Sequence, residues 1–126
     1  MKIVLLTGAQ KSQKTTTIEM VYQNLIQGMQ NPPPKKQLPY GTNDFECVLP
    51  HPKGDVAIFS LGDTLDRMYE AIIKYSNVHC LIMAHSQIGG SVMMGFLACV
   101  SQFPQHVVIK KTNNNLIDCH TIINRI

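Results

Sequence analysis

The chain has little charge, few aromatic side chains and no long apolar run. Only 15% of its 126 residues are charged, 6% are aromatic and none is Trp. So little charge excludes a long disordered acidic or basic tail. The lack of 18 consecutive apolar residues excludes a typical membrane-spanning helix. With 44% hydrophobic residues, we expect a soluble globular protein, folded as one domain over residues 1–126.

Arginine is nearly absent. The net charge of +3 comes from nine lysines and only two arginines, Arg67 and Arg125. The lysines form no extended basic stripe, whereas proteins that bind the nucleic-acid backbone concentrate positive charge on one face. The composition therefore disfavours nucleic acid as a partner. A phosphorylated small molecule suits this mild basicity better.

Cysteine is sparse as well, and its spacing excludes the common metal motifs. Cys47, Cys80, Cys99 and Cys119 form no C-x-x-C pair. We interpret them as small buried hydrophobic residues in a reducing compartment. The first apolar run, Ile3 to Leu6, is too short for a signal-peptide core. These features predict a cytoplasmic protein without a membrane anchor.

Strand-like apolar runs alternate with segments of helical periodicity. The predicted parallel strands are Lys2 to Thr7, Asp55 to Ser60, Val78 to Ala84 and His106 to Ile109. The predicted helices cover the segments Ile18 to Met29, Leu65 to Ile73, Val92 to Phe103 and Leu116 to Ile126. This alternation predicts an α/β fold, a three-layer α/β/α sandwich with a mostly parallel sheet. In such folds ligands bind at the carboxyl ends of the strands.

Residues 30–53 have a different character. This stretch is rich in proline, and only Phe45 to Leu49 alternates like a short strand. An irregular segment of this length in a small domain is usually functional or disordered. The sequence leaves three interpretations open: a lid that folds over the site, a segment that only decorates the sheet, and a surface that meets a partner.

The most informative stretch joins the first strand to the first helix. It reads Gly8-Ala-Gln-Lys-Ser-Gln-Lys-Thr-Thr-Thr17 and resembles the Walker A motif G-x-x-x-x-G-K-[ST] of the P-loop NTPases. The resemblance implies that Mg²⁺ with ATP or GTP is bound by the residues of this loop: Gly8, Ala9, Gln10, Lys11, Ser12, Gln13, Lys14, Thr15 and Thr16. It also implies that Lys14 is the catalytic phosphate clamp and Thr15 a metal ligand.

Gln13 departs from the motif because it stands where the second glycine belongs. If that position requires a positive φ, a residue with a side chain costs about 1–2 kcal/mol there and crowds the phosphates. The alternative interpretation of the stretch is simpler. Ser12 or Thr15 would cap a helix, and the two lysines, Lys11 and Lys14, would be solvated.

The P-loop family also uses an acidic residue at the end of an apolar strand to hold Mg²⁺ through water. Here the strand Val56 to Phe59 is followed by Ser60, and the first acid is Asp63. Asp63 is therefore the candidate for a catalytic or metal-binding role. It is also a candidate N-cap of the next helix, with Asp66 in that helix's first turn.

The segment that follows the third strand offers further polar groups. His85, Ser86 and Gln87 come just before Gly89 and Gly90, and we expect them in a loop that contacts a base, a ribose or an acceptor. A lone histidine is more often structural than catalytic, so the catalytic interpretation of His85 is the minority one.

Phosphoryl transfer needs positive charge around the transferred group. Arg67 has Glu70 three residues on, which predicts a surface ion pair instead. Lys35, Lys36 and Lys53 could supply the charge, or a partner could.

The sequence predicts a nucleotide-binding P-loop protein acting through Lys14 and Thr15 with Mg²⁺, either a small kinase or a weak NTPase. The alternative is a module that senses nucleotide or phosphate without turnover and binds a protein partner or assembles as a homo-oligomer. A third interpretation is a structural relic of the fold that has lost its ligand.

Overall fold

The chain folds into six strands and four helices in a computed structural model, which describes residues 1–39, 43–87 and 91–126. The elements are β1 (Lys2–Gly8), α1 (Lys14–Leu25), β2 (Lys36–Gln37), β3 (Phe45–Leu49), β4 (Val56–Phe59), α2 (Leu65–Lys74), β5 (Cys80–Ser86), α3 (Ser91–Val100), β6 (His106–Lys110) and α4 (Asn115–Ile123). None of the described helices is long and apolar enough to cross a membrane.

All six strands belong to one mixed sheet in the order β2-β3-β4-β5-β1-β6. Strands β4, β5, β1 and β6 run parallel, while β2 and β3 extend the sheet in antiparallel pairing. The predicted α/β class is therefore confirmed. In the register, Gly8 lies beside Ser86 and Thr7 beside Lys110, so the carboxyl ends of β1, β5 and β6 meet at one edge.

Alternate residues of β1 enter two separate hydrophobic clusters. Val4 and Leu6 pack in one cluster with residues of α1 and α4, while Ile3 and Leu5 pack in another with residues of α2 and α3. All four are fully buried, as expected for a strand covered on both faces. Helix α1, which follows β1, thus packs in the first cluster, whereas α2 and α3, which follow β4 and β5, pack in the second. Such a divergence opens a crevice at the carboxyl edge of the sheet.

The Pro-rich segment 30–53 supplies part of the sheet. The predicted strand Phe45–Leu49 is confirmed as β3, and the short β2 precedes it. Leu38, Phe45 and Leu49 are buried in the two clusters. Periodicity alone could not predict that this segment enters the core. Its apolar residues are unevenly spaced, and β2 has only two residues, too few to show an alternating pattern.

Several predicted boundaries were wrong. Helix α1 ends at Leu25 and not near Met29, and Gly28 follows with a φ of 85°. Ile73 was expected to face inward but is 76% exposed, because its neighbour Ile72 faces the core and adjacent helical residues point about 100° apart.

Leu116 was also expected to face the core. It is 55% exposed and lines a cleft between α1 and α4. Farther along α4 the prediction holds, since Cys119 and Ile122 are fully buried.

Three cysteines are buried as predicted, namely Cys47, Cys80 and Cys119, whereas Cys99 is only partly buried, contrary to the prediction; all four are free. Burial raises the pKa of the Cys47 thiol to about 12 and that of the Cys80 thiol to about 11. A thiol that resists ionisation is a poor nucleophile and metal ligand. These two cysteines serve packing.

Candidate functional site

The candidate site lies where the carboxyl ends of the parallel strands are joined by backbone hydrogen bonds. The Gln87 N–H donates to the Gly8 carbonyl at 2.8 Å, and the Lys111 N–H donates to the Thr7 carbonyl at 2.7 Å. These bonds continue the ladder past the strands, so the segments that leave β1, β5 and β6 start from fixed positions.

Gly62 brings a fourth segment to the same edge. A Cβ atom at this residue would lie 2.8 Å from the carbonyl carbon of Ala84, so only glycine permits the close approach. The Gly62 carbonyl accepts a hydrogen bond from the Ser86 N–H at 2.7 Å. Asp63 follows directly and is exposed beside the site.

The loop between β1 and α1 contains two residues in the left-handed region. Lys11 has a φ of 60° and Gln13 a φ of 68°. Gln13 thus has the positive φ that the motif's second glycine would adopt easily, although it carries a side chain. Gln13 is the N-cap of α1 and makes no side-chain capping bond. The interpretation of Ser12 or Thr15 as a cap was therefore wrong, and the Ser12 hydroxyl instead donates to the Ala9 carbonyl at 2.6 Å.

The Gln13 side chain is anchored to α4. Its Oε1 accepts a hydrogen bond from Nδ2 of Asn115 at 2.7 Å. The Asn115 Oδ1 in turn accepts one from the Thr17 hydroxyl at 3.3 Å. This chain of bonds joins the loop, α1 and the start of α4. It also gives Gln13 a structural role in addition to its place in the loop.

Lys14 folds back into the loop. Its side chain donates to the Gly8 carbonyl at 3.1 Å, to the Ala9 carbonyl at 2.6 Å and to the Ser12 hydroxyl at 3.4 Å. The residue is only 7% exposed. Burial lowers the pKa of the Lys14 ammonium below its ordinary value; Asp63 acts in the opposite direction and Lys111 in the same one.

Thr15 is hydrogen-bonded to Asp44, an acidic residue that was not predicted to belong to the site. The Thr15 hydroxyl donates to Oδ1 of Asp44 at 3.1 Å, and the Ser60 hydroxyl donates to the same oxygen at 2.9 Å. Ser60 also accepts the Phe45 N–H at 2.9 Å. Asp44 thus reaches the end of β4 from the antiparallel part of the sheet. The available signal was its position directly before the alternating segment Phe45–Leu49.

A cavity of about 490 Å³ lies at this edge of the sheet, and we call it the loop cavity. Its volume falls within the usual range of small-molecule sites. Its lining includes Lys11, Gln13, Lys14, Thr15, Asp44 and Asp63. Within the described residues, the backbone N–H groups of Lys14, Thr15 and Thr16 have no acceptor. Free N–H groups at a helix start, with the positive end of the helix dipole, favour an anion.

Asp63 lines the loop cavity with Lys14, but it does not cap α2. The N-cap is Thr64, whose hydroxyl donates to Asp63 Oδ1 at 3.3 Å. The helix begins at Leu65 as predicted, but its cap lies one residue later than Asp63 because the backbone is still extended at Thr64. Asp66 lies in the first turn of α2 as expected.

The prediction that His85 lies in a loop is wrong, because β5 continues through Ser86. The His85 ring is buried, stacks on Phe96 with the centroids 5.8 Å apart, and lies 2.8 Å from the Thr7 hydroxyl through Nδ1. His85 is thus part of the core. Ser86 does line the loop cavity. The predicted contacts at Gly89 and Gly90 lie outside the described residues.

Most of the positive charge proposed to assist the site is engaged elsewhere. Lys35 pairs with Glu19 at 2.6 Å, and the Lys53 ammonium donates to the Ile126 carbonyl at 2.9 Å. Arg67 pairs with Glu70 at 3.1 Å, as predicted.

Lys111, close to the loop, is buried with Asp118. Their charged groups are 2.8 Å apart, and both side chains are 2% exposed.

No group of three or more His, Cys, Asp or Glu suited to a metal ion occurs among the described residues. Mg²⁺ does not require such a cage, because it usually binds one or two carboxylates and completes its shell with water and phosphate oxygens. The Thr15 hydroxyl and the Asp44 carboxylate place two oxygen atoms side by side, and Asp63 lines the same cavity.

Comparison of the chain with protein-family models, with curated proteins and with solved structures gives no match.

Proposed function

We propose that the chain is a P-loop nucleotide-binding protein that takes ATP or GTP with Mg²⁺, in a three-layer α/β/α fold of the P-loop NTPase type. The conformation of Gln13 carries the proposal. A residue other than glycine holds a φ of 68° at the position where the Walker A motif has its second glycine. That conformation leads the loop into α1 and leaves the first N–H groups of the helix free for phosphate.

Lys14 and Thr15 take the roles that the motif implies. The Lys14 ammonium now contacts two loop carbonyls, each of which has a second donor: Gln87 for Gly8 and Ser12 for Ala9. The ammonium can therefore turn to a phosphate without leaving a carbonyl unpaired. A charge-assisted contact of this kind contributes about 1.5–3 kcal/mol.

Mg²⁺ fits the oxygen ligands around Thr15. Thr15 supplies the hydroxyl, and Asp44 is the nearer carboxylate, since it is already bonded to that hydroxyl. Asp63 remains a second candidate. The ion, when bound, neutralises charge on the phosphates.

A calorimetric titration with Mg-ATP and Mg-GTP in low-phosphate buffer tests the proposal. We expect saturable binding by the wild type and a Kd about tenfold to a hundredfold weaker for Lys14→Ala. Lys2→Ala is the matched control, because it removes the same charge at the opposite end of β1 and should bind normally. Absence of binding by the wild type, or equal loss in both variants, would contradict a nucleotide site on this loop.

A second candidate function is nucleotide or phosphate sensing without turnover. It is favoured by the scarcity of uncommitted positive charge, since Lys111 is neutralised by Asp118 and Arg67 is paired on the surface. Incubating the purified protein with Mg-ATP and following nucleoside diphosphate formation separates the two candidates. A kinase or NTPase gives product that Lys14→Ala reduces, whereas a sensor binds nucleotide and gives none.

A further inference from the structure

A second cavity, of about 510 Å³, adjoins the loop cavity. We call it the outer cavity. Thr15, Asn43 and Asp44 line both cavities. The outer cavity extends from this shared wall between α1, which contributes Glu19, and the segment that contains Lys35. A molecule in the outer cavity would thus lie beside the residues proposed to hold the nucleotide phosphates.

The charges of the outer cavity differ from those of the loop cavity. Its described lining has two carboxylates, Glu19 and Asp44, and one cation, Lys35. The Lys35 ammonium lies 2.7 and 2.6 Å from the two Glu19 oxygens. It also lies 5.2 Å from the centroid of the Phe45 ring. The one cation is therefore already paired, and the lining carries a net negative charge.

A phosphorylated ligand would be repelled in this environment. Phosphate recognition requires uncommitted Lys or Arg, or free backbone N–H groups. The loop cavity has both, through the Lys14 ammonium and the free N–H groups of Lys14 and Thr15. The outer cavity has N–H groups of the same helix start, at Thr15 and Thr16, but its two carboxylates oppose them and it has no uncommitted Lys or Arg among the described lining residues. In the outer cavity a phosphate would meet Glu19 and Asp44 with no free cation among the described lining residues. A neutral or cationic ligand meets no such barrier.

The outer cavity also has polar groups available to a ligand. Within the described part of the chain, the Thr16 hydroxyl and the Asn43 side-chain amide make no hydrogen bond. Together they offer donors and acceptors for hydroxyl groups. The lining thus suits a small polar molecule without a phosphate.

We propose that the outer cavity binds the phosphoryl acceptor and that this acceptor is an unphosphorylated, hydroxyl-bearing small molecule, neutral or cationic. The inference rests on the proposed nucleotide site. The acceptor oxygen bonds to the terminal phosphorus of the nucleotide while the bond from that phosphorus to the departing nucleoside diphosphate breaks. The hydroxyl proton passes to solvent water, because Asp44, the carboxylate that lines both cavities, is assigned to Mg²⁺.

The test uses ¹H–¹⁵N NMR on the full chain saturated with Mg²⁺ and a non-hydrolysable ATP analogue. The probes are two matched pairs, thymidine with thymidine monophosphate and choline with phosphocholine. We expect at least one unphosphorylated probe to shift the amides of Thr16, Glu19 and Asn43 saturably, at least about tenfold tighter than its phosphorylated partner. Equal or tighter binding of the phosphorylated partner, or no shift with any probe, overturns the inference.

Glu19→Gln provides the decisive variant, because it removes one negative charge and releases Lys35. The phosphorylated probe should then gain affinity by about tenfold relative to its partner. Glu70→Gln is the matched control, since it breaks an exposed ion pair on α2 and should leave the preference unchanged. An unchanged preference in Glu19→Gln contradicts the charge argument.

The same spectra separate this inference from the proposed function. Shifts at Lys11 and Lys14, which line the loop cavity and not the outer cavity, report nucleotide binding separately. Nucleotide binding without probe binding overturns the acceptor site and leaves the proposed function standing. Probe binding without nucleotide binding overturns both, because an acceptor then has no phosphoryl donor.

Discussion

Gln13 shows how one residue can meet two opposing demands. Its φ of 68° costs about 1–2 kcal/mol for a residue with a Cβ, while its side chain accepts a hydrogen bond from Asn115 that contributes about 0.5–1.5 kcal/mol. Gln13→Gly removes both the backbone cost and the hydrogen bond from Asn115, so we expect the free energy of unfolding to change by less than about 1 kcal/mol. Mg-ATP binding should be equal or tighter. Urea denaturation and calorimetry measure the two quantities.

Gln13→Ala is the informative companion. It keeps the backbone cost and loses the bond to Asn115, so it should be less stable than Gln13→Gly by about 1 kcal/mol. Clearly weaker nucleotide binding by Gln13→Gly would mean that the Gln13 side chain contacts the ligand. Equal stability of the two variants would mean that the backbone strain is absent in solution.

The junction of β6 and α4 depends on Asp118. Burial alone would raise the pKa of this carboxyl, but hydrogen bonds from Lys111 and Thr112 outweigh it and hold the pKa below its ordinary value. A lowered pKa in the folded state contributes stability that is present above the unfolded-state pKa and is lost as the pH falls through the folded-state value. We therefore expect this contribution to be complete above about pH 5, to decline below about pH 4 and to be lost once the pH falls through the lower folded-state pKa.

Urea denaturation of the wild type and Asp118→Asn across pH 7 to 3 tests this. At pH 7 the variant should be less stable by about 3 kcal/mol, because Lys111 loses the charge of its buried partner. The gap should narrow below about pH 4. Asp66→Asn, at an exposed first-turn position of α2, is the control and should change stability by at most about 1 kcal/mol. A gap that does not depend on pH would refute the linkage.

The elements differ in how far the sequence could predict them. Continuous apolar runs such as Ile3 to Leu6 predicted the buried parallel strands, since a strand covered on both faces needs apolar residues throughout. The position of a loop between β1 and α1 was also predicted, because an apolar strand and an amphipathic segment flank it. Asp44 was not, because its place beside Thr15 depends on the antiparallel pairing of β3 with β4. The local signal at Asp44, its position directly before Phe45–Leu49, does not reveal such long-range pairing. In the same way, nothing local distinguished His85 in β5 from a loop residue.

For the molecule as a whole, the main result is that segment 30–53 contributes to the core as well as to the site. Leu49 is 1% exposed and packs in the same cluster as Val4 and Leu6 of β1. Asp44, only five residues earlier, holds Thr15. The loop cavity and the outer cavity therefore share a wall that is tied directly to the sheet. A segment built in this way should not open independently as a lid over the site.

Leu49→Ala tests this interpretation against a lid that opens by itself. Removal of a fully buried leucine from a shared core should lower the global free energy of unfolding by about 2–5 kcal/mol. Val48→Ala is the control on the same strand: Val48 is 36% exposed, so its loss should be below about 1 kcal/mol. Urea denaturation gives the free energies, and native-state hydrogen exchange shows which amides respond. If β3 belongs to the common core, Leu49→Ala should reduce the protection of the slowest amides in β1 and β5 along with those in β3. Faster exchange confined to β3, with the protection of β1 unchanged, would show instead that the segment opens as a unit of its own.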